Sequence, residues 1–306
     1  MRPRNDLLLL VLATALPLLG FAVLASALLV WQEQENYVTA VKDRNRAFMS
    51  AVDAQLKGTI GALEALGASG ALHDGDLARF HAASQDVLAA HSGWLNLVVF
   101  NAEGRQVLNA LAPWGDALHR PALESRSLRK AVQTHSPTVG NVMYGDGVFT
   151  SRPGIAVRVP IVREGKLVYV LSAIVKPESF QPLIEQQQLP AGWTSGLVDG
   201  EGQFIARVPA KPVGSPAGAD YLAASRAARE GWYRGTTVEG LDTYTAHVRS
   251  DFSGWSVGFS IPAELVQRGP RRAGWLMGVG VALSLALAAA IALRVGRRLV
   301  PAQGAS

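Results

Sequence analysis

Cysteine is absent from all 306 residues. That excludes disulfide staples, thiolate catalysis and Cys-based zinc sites together. A surplus of positive charge is also missing where a nucleic-acid partner would need it. The formal charge is +5, but Arg2, Arg4, Arg294, Arg297 and Arg298 lie near the chain ends, and residues 32–272 hold 24 Lys or Arg against 23 Asp or Glu. No basic face remains to track phosphates, so no nucleic-acid partner is expected. Catalytic constellations are lacking too. His73, His81 and His91 never show the i, i+4 spacing of a helical metal site. Ser92-Gly93, Ser195-Gly196 and Ser253-Gly254 stand outside any Gly-x-Ser-x-Gly elbow. Glu103 and Glu201 recur as turn residues rather than as an acid/base pair. The chain is therefore expected to be no enzyme, with no catalytic residue, no metal and no cofactor.

What the sequence does contain is two long apolar runs, Leu7–Trp31 and Gly274–Leu293, neither with a charged side chain. Each is close to the ~20 residues that carry a helix across a ~30 Å hydrocarbon core. Arg2 and Arg4 precede the first run while Glu33 and Glu35 follow it, which keeps the N-terminus in the cytoplasm. Arg268, Arg271 and Arg272 before the second run balance Arg294, Arg297 and Arg298 after it, so the first run sets the orientation. Ala25-Ser26-Ala27 has the form that signal peptidase accepts, but the apolar run continues through Trp31, which favours an uncleaved anchor.

Between the spans, apolar Val38, Val41, Phe48, Val52, Ile60 and Leu63 recur at helical spacing, predicting one long helix from Gln32 to about Leu66. At 1.5 Å per residue such a helix rises ~45 Å, enough to flank a two-storey body. A turn at His73-Asp74-Gly75 leads to a helix over Asp76–Ala90. Leu95–Phe100 and Arg105–Asn109 form a hairpin across Asn101-Ala102-Glu103-Gly104. A helix near Ser125–Thr134 and a strand near Val139–Tyr144 follow. Ile155–Val162 and Leu167–Val175 make a second hairpin, and Pro177 opens a helix at its first position. The order then recurs. Asp199-Gly200-Glu201-Gly202-Gln203-Phe204-Ile205 repeats Asn101-Ala102-Glu103-Gly104-Arg105-Gln106-Val107 98 residues later. A helix near Tyr221–Ala228 and strands Trp232–Val238, Thr243–Arg249 and Trp255–Ile261 complete the second copy. Ile261-Pro262-Ala263-Glu264 echoes Val175-Lys176-Pro177-Glu178. Two copies of one α/β unit are implied, not a solenoid of shorter units. Trp232 and Trp255 are expected in the second core with locally bonded indole N–H groups.

Three stretches carry a family likeness: Trp94–Asn101 with its Gly104 turn, Ile155–Val175, and Gly231–Thr237 through Phe252-Ser253-Gly254-Trp255. In their order between two spans they resemble the double Cache (PAS-like) extracytoplasmic sensor of bacterial receptors, closest to the input domains of sensor histidine kinases, over residues 33–272. The resemblance implies an α+β fold, with two PAS-like antiparallel-sheet subdomains on a long N-terminal helix flanked by two transmembrane helices. The expected layout is a cytoplasmic N-terminus 1–6, first span 7–31, emergent helix 32–72, membrane-distal subdomain 73–190, membrane-proximal subdomain 191–262, connecting helix 263–273, second span 274–293 and cytoplasmic tail 294–306. It further implies a bacterial inner-membrane receptor with a periplasmic or extracellular body, a homodimer along the long helix, and a small-molecule ligand. Only Arg294–Ser306 follow the second span, with no phosphoaccepting His, Gly-rich phosphate loop or acidic metal cluster. Kinase, cyclase and methyl-accepting outputs are thus missing from this stretch. The expectation is a truncated sensor, or one that works with a separate cytoplasmic output subunit. A membrane-tethered solute-binding or assembly protein without signalling output is the alternative.

The resemblance places the ligand pocket in the membrane-distal unit. Candidates there are Tyr144, Asp146, Thr150, Arg152 and Lys176, with Trp94 and Asn109 as walls. Two cations near one cavity favour a small organic anion, the guanidinium binding it in bidentate fashion and the ammonium acting as a point charge. Both also read as solvated turn residues. Amine-recognising members of the family carry an Asp near the end of the equivalent strand and an Arg-x-Trp-Tyr motif before it. Here Lys176 stands at the first place, and only Arg120-Pro121 or Ser125-Arg126-Ser127-Leu128 lies near the second, which disfavours an amino-acid ligand.

Overall fold

Helix α1 (Pro3–Gly67) joins the first apolar run and the expected emergent helix without a break, passing through Pro17. The computed structural model describes residues 3–116, 122–145 and 151–298, and some side chains of the two terminal helices lie outside that description. Chain contacts separate two units: the segment through Ala40 together with everything from Ala263, and Val41–Pro262. In the terminal unit, α7 (Ala263–Arg298) contains Gly274–Ile291, with mean hydropathy 2.0 and none of it buried. Among the described residues this is the one helix long and apolar enough to cross a membrane; α1 offers the shorter apolar stretch Gly20–Leu29. Much of the expected first span, Leu7–Trp31, has side chains outside the description.

The second unit is built on two five-stranded antiparallel sheets of one topology. The first lobe contains α2 (Gly70–His73), α3 (Leu77–Ala90), β1 (Trp94–Asn101), β2 (Gln106–Asn109), α4 (Ser125–Thr134), β3 (Thr138–Tyr144), β4 (Pro153–Arg163) and β5 (Lys166–Val175). Its sheet order is β2-β1-β5-β4-β3. A 3-10 turn at Pro177–Phe180 and α5 (Gln181–Glu185) lead to the second lobe. That lobe holds β6 (Thr194–Val198), β7 (Phe204–Val208), α6 (Ala219–Ala227), β8 (Glu230–Thr236), β9 (Asp242–Arg249) and β10 (Ser256–Pro262), in the order β7-β6-β10-β9-β8. The repeat seen in the sequence is thus a repeat of sheets, β6 standing for β1 and β10 for β5.

Local chemistry sets the boundaries. Asp76 caps α3 by accepting from the Arg79 N–H at 3.0 Å, and Glu124 caps α4 through the Ser127 N–H at 2.9 Å, each satisfying a donor that the first turn cannot. The β4–β5 hairpin turns on Glu164 and Gly165, both at positive φ (48° and 76°), the geometry that matches strand twist. The two repeated turns share one device. Asn101 accepts from Arg105 N–H at 2.8 Å, and Asp199 accepts from Glu201 and Gln203 N–H at 2.9 Å each, with Gly104 and Gly202 in the left-handed region.

The core lies between one face of each sheet and the buried stripe of α1. Phe48, Val52, Leu56 and Leu63 are all essentially inaccessible. Phe48 packs on Phe259 of β10 at 6.0 Å between centroids, and Asn45 donates to the Ala246 carbonyl of β9 at 2.7 Å. Further along, a Cβ on Gly67 would sit 2.4 Å from Ile161 of β4, so the helix closes onto the first sheet at a residue that has none. One helix therefore splints both lobes. The opposite sheet faces are covered by α4 over Val98, Phe100 and Val170, and by α6 residues Tyr221 and Leu222 over Val198 and Phe204. Trp255 is fully buried as expected. Trp232 is only half-buried and stacks on Tyr244 at 5.7 Å, because β8 is an edge strand. Leu63→Ala, which empties the shared stripe, is expected to cost ~2–5 kcal/mol in denaturant or thermal unfolding, against ~0.5 or less for exposed Glu64→Ala.

Candidate functional site

Five of the seven expected binding residues fall within the described structure; four gather at one end of the first sheet, and Asn109 lies in the row of Val98, Ser172 and Arg158 at its middle. Trp94 opens β1 opposite Val175, which closes β5, and Lys176 follows it. Tyr144 closes β3 opposite Pro153, and Arg152 immediately precedes it, exposed. Asn109 closes β2 opposite Val98. Asp146 and Thr150 lie outside the described residues.

One end is not one face. Asn109 is buried on the α4 side, where its Oδ1 accepts from Asn96 Nδ2 and Leu111 N–H, both at 3.0 Å. Register shifts between Trp94 and Asn96, and between Val139 and Val142, reverse the alternation of side chains. Trp94 consequently shares the face of Val175, buried and stacked on His91 at 4.4 Å. Tyr144 shares the face of Pro153 and donates its hydroxyl to the Val213 carbonyl at 2.6 Å. The Lys176 ammonium donates to the Ser92 carbonyl. The set thus brings two cations to one sheet end while dividing its aromatic members from Asn109.

Deeper on the α4 side sits a residue that the sequence reading passed over. Arg158, in the middle of β4, is 1% exposed. Its guanidinium donates to Ser127 Oγ, Ser172 Oγ and the Glu124 carbonyl, each at 2.8 Å, and lies over the Phe100 ring. The Glu124 carboxylate is 3.9 Å away and is held by the Ser127 N–H and hydroxyl. Burial lowers the Arg158 pKa to about 10, the charge of Glu124 opposing it, so the group stays cationic at neutral pH. A buried charge persists only when paired and bonded in this way. Its signal was legible: a lone charge inside the apolar run Ile155–Val162. Edge strand β3 runs beside this cluster. A Cβ on Gly140 would come 2.9 Å from Glu124 Oε2, so glycine makes the room.

The same strand joins the lobes. Gly140 accepts the Trp255 indole N–H at 3.2 Å, so that N–H bonds across the lobes and not locally as expected. Asn141 Oδ1 accepts from Gly200 N–H at 3.0 Å, and Asp199 Oδ2 accepts from Val142 N–H at 2.9 Å. Arg126 of α4 pairs with Glu201 at 2.9 Å. Burial pushes the Asp199 pKa up, against the lowering effect of the backbone N–H groups that bond it. In the second lobe, His247 occupies the register position of Arg158, since Gly258 pairs with both Gly196 and His247 as Ser172 pairs with Val98 and Arg158. His247 is buried, with Nε2 3.3 Å from the Ala228 carbonyl and no protein partner for Nδ1 among the described residues. Burial holds its pKa below the usual value. No cluster of metal-ligating side chains occurs among the described residues.

No protein-family model matches the chain, and no curated protein matches it by sequence. Solved structures do match. The extracellular domain of mmHK1S-Z3, named as a histidine kinase, aligns with TM-score 0.55 at 15% identity, over 80% of this chain and 98% of that one. The ligand-binding domain of the Campylobacter jejuni chemoreceptor Tlp3, solved with L-norvaline, gives 0.57 at 13%, over 76% and 93%. That of the Pseudomonas fluorescens chemoreceptor CtaA, solved with L-isoleucine, gives 0.55 at 14%, over 78% and 95%. The fold is that of the double-Cache-like sensor domains of histidine kinases and chemoreceptors.

Two predictions follow from the buried polar groups. Asp199→Asn keeps one acceptor oxygen but cannot serve both its own turn and Val142, so one bond is lost; hydrogen exchange at Val142 should accelerate about tenfold or more if it is the bond between lobes. His247 is neutral when folded, with its pKa below the unfolded ~6.5. As pH falls below that value the unfolded chain binds the proton first, so stability declines toward and through the folded pKa. The fall in melting temperature between about pH 7.5 and 5.5 should be smaller in His247→Gln.

Proposed function

We propose that this chain is a membrane-anchored extracytoplasmic sensor that binds a small solute and transmits its occupancy through α7. One observation supports the reading above others. Two lobes of a ligand-binding sensor fold end in a strand, β10, that reaches Pro262, and α7, which carries the apolar stretch Gly274–Ile291, starts at the next residue. No flexible linker separates binding fold from span. On this reading a displacement of that strand passes along the chain into α7. The body is periplasmic in a bacterial inner membrane, set there by Arg2 and Arg4 on the cytoplasmic side of the first span. The chain pairs with a second copy along α1 and passes its signal to a separate cytoplasmic subunit.

The solute is an organic anion bound at the end of the first sheet where Arg152 and Lys176 stand. The chemoreceptor domains of like fold were solved with L-norvaline and L-isoleucine, which carry both a carboxylate and an ammonium. Lys176 occupies the place where amine-recognising members of the resembled family have an acid. A cation there favours the carboxylate and opposes the ammonium.

Protease added outside spheroplasts that express the full chain should digest the 41–262 body and leave the spans. Calorimetry of the full chain in lipid nanodiscs against a panel of organic acids should detect a ligand. Its affinity should fall about tenfold or more in Arg152→Ala and Lys176→Ala, the scale of one charged hydrogen bond. A protected body would reverse the orientation. Affinity unchanged in both variants would take the two cations out of the site.

A further inference from the structure

The two lobes share one frame, so register compares them position by position. In the first sheet, Asn96, Ile174 and Ala156 form one row across β1, β5 and β4, and Val98, Ser172 and Arg158 form the next on the same face. The corresponding rows of the second sheet are Thr194, Ser260 and Thr245, then Gly196, Gly258 and His247. Where the first lobe fills its helix-covered face with Val98 and Ser172, the second has two glycines directly opposite each other. The gap admits rings: a Cβ on Gly196 would lie 2.7 Å from Phe204, and one on Gly258 2.5 Å from Tyr221. Where the first lobe has apolar Ile174 and Ala156, the second has hydroxyls.

These substitutions surround a cavity of about 40 Å³ between the sheet and α6. One buried water needs ~10–15 Å³, so the space holds about three waters or a solute of similar size. Thr194, Thr245 and Ser260 line it, with the phenols of Tyr221 and Tyr233. Thr245 donates to Ser260 at 2.8 Å, and Thr245 is 2% exposed. Burying hydroxyls costs free energy that an apolar row would not. The first sheet forms at these positions without them, so the strand pairing does not require them.

Arg207 supplies the charge, and no acid is among the residues lining the cavity. It is 4% exposed, lies over the Phe204 ring, and donates to the Pro209 carbonyl at 2.9 Å and Glu239 Oε2 at 2.8 Å. Two of its five N–H donors are thus used and its plane is fixed. Glu239, which also pairs with Lys211 at 3.3 Å, sits outside the lining and balances the guanidinium. Asp220 is tied to the Thr236 N–H at 2.7 Å, also outside it. Burial keeps both phenols protonated, Tyr233 being pushed up to about 12, while the Tyr221 hydroxyl donates to Ser256 Oγ at 2.9 Å, outside the lining.

We propose that the second lobe holds its own ligand site, in which Arg207 and the Thr194, Thr245 and Ser260 hydroxyls receive a carboxylate of acetate size. The site is independent of the one assigned to the first lobe. Calorimetry of the full chain in nanodiscs with acetate, and with acetamide as its uncharged isostere, tests it. Acetate should bind and acetamide should bind at least tenfold more weakly. Thr245→Val, which keeps the shape and loses the hydroxyl, should weaken acetate about tenfold. Glu239→Gln, which removes the competing negative charge, should strengthen it several-fold; melting curves establish that both variants fold. No acetate binding, equal binding of acetamide, or affinity untouched by both variants overturns the proposal, leaving a hydrated packing cavity. Titration of Arg152→Ala separates the sites: an acetate signal lost there and kept in Thr245→Val belongs to the first lobe. That result overturns this proposal and leaves the earlier reading standing.

Discussion

The structure turns on a single irregularity in an edge strand. Between Val139 and Val142 the pairing of β3 with β4 slips by one residue, and at this bulge the edge strand turns backbone groups toward the second lobe. Those groups are spent across the lobes: the Gly140 carbonyl on Trp255, the Val142 N–H on Asp199. The Asn141 side chain adds a third bond, to Gly200. An edge strand with unpaired groups is ordinarily an aggregation hazard, and here the second lobe covers it. Gly140 also touches the Arg158 cluster through Glu124, so one residue without a side chain lies between the buried charge of the first lobe and the buried indole of the second. Movement of α4, whose cap is Glu124, therefore has a short physical route to the second sheet.

The junction also explains why the duplicated turns differ by one atom. Asn101 and Asp199 make the same local turn, each with one side-chain oxygen. The asparagine amide has no second acceptor to offer, and none is called for at Asn101. At Asp199 the second oxygen accepts from Val142. The carboxylate is costly to bury, as its raised pKa reflects, and two oxygens with two different tasks account for its presence.

The elements were legible in the sequence and the faces were not. The helix over Ser125–Thr134 was readable from its polar spacing, and the hairpins were marked by glycines at positive φ, so strand positions held to within a residue or two. The repeat was visible because turn chemistry is local. Alternation assigns faces only in an unbroken ladder, and register shifts break it at several places, two of them beside the expected site. Counted by twos, Trp94 falls on the face of Asn96, and Tyr144 on the face of Thr138; each is turned to the other side by a slip of one residue. No local signal announces such a slip. The partner of the Trp255 indole was equally hidden, since 115 residues separate it from Gly140. Arg158, Arg207 and His247 were available to inspection, as polar side chains inside apolar strands, and they mark the interiors of both lobes better than the exposed cations did.

Duplication followed by divergence gives the two lobes different mechanical characters. In the first, Arg158 ties sheet, α4 cap and Phe100 together on the helix-covered face, and a face so bonded resists rearrangement. In the second, paired glycines remove that anchorage, His247 leaves a ring nitrogen without a protein partner among the described residues, and α6 rests on rings and hydroxyls. A sensor needs two arrangements close in free energy, because a solute shifts an equilibrium only by its difference in affinity for the two. The second lobe, being the less firmly bonded behind its helix, is the better placed to supply the alternative arrangement. It is also the lobe whose last strand, β10, ends where α7 begins. On the proposed sensor reading, displacement would be generated in the less firmly bonded second lobe, whose last strand runs directly into α7.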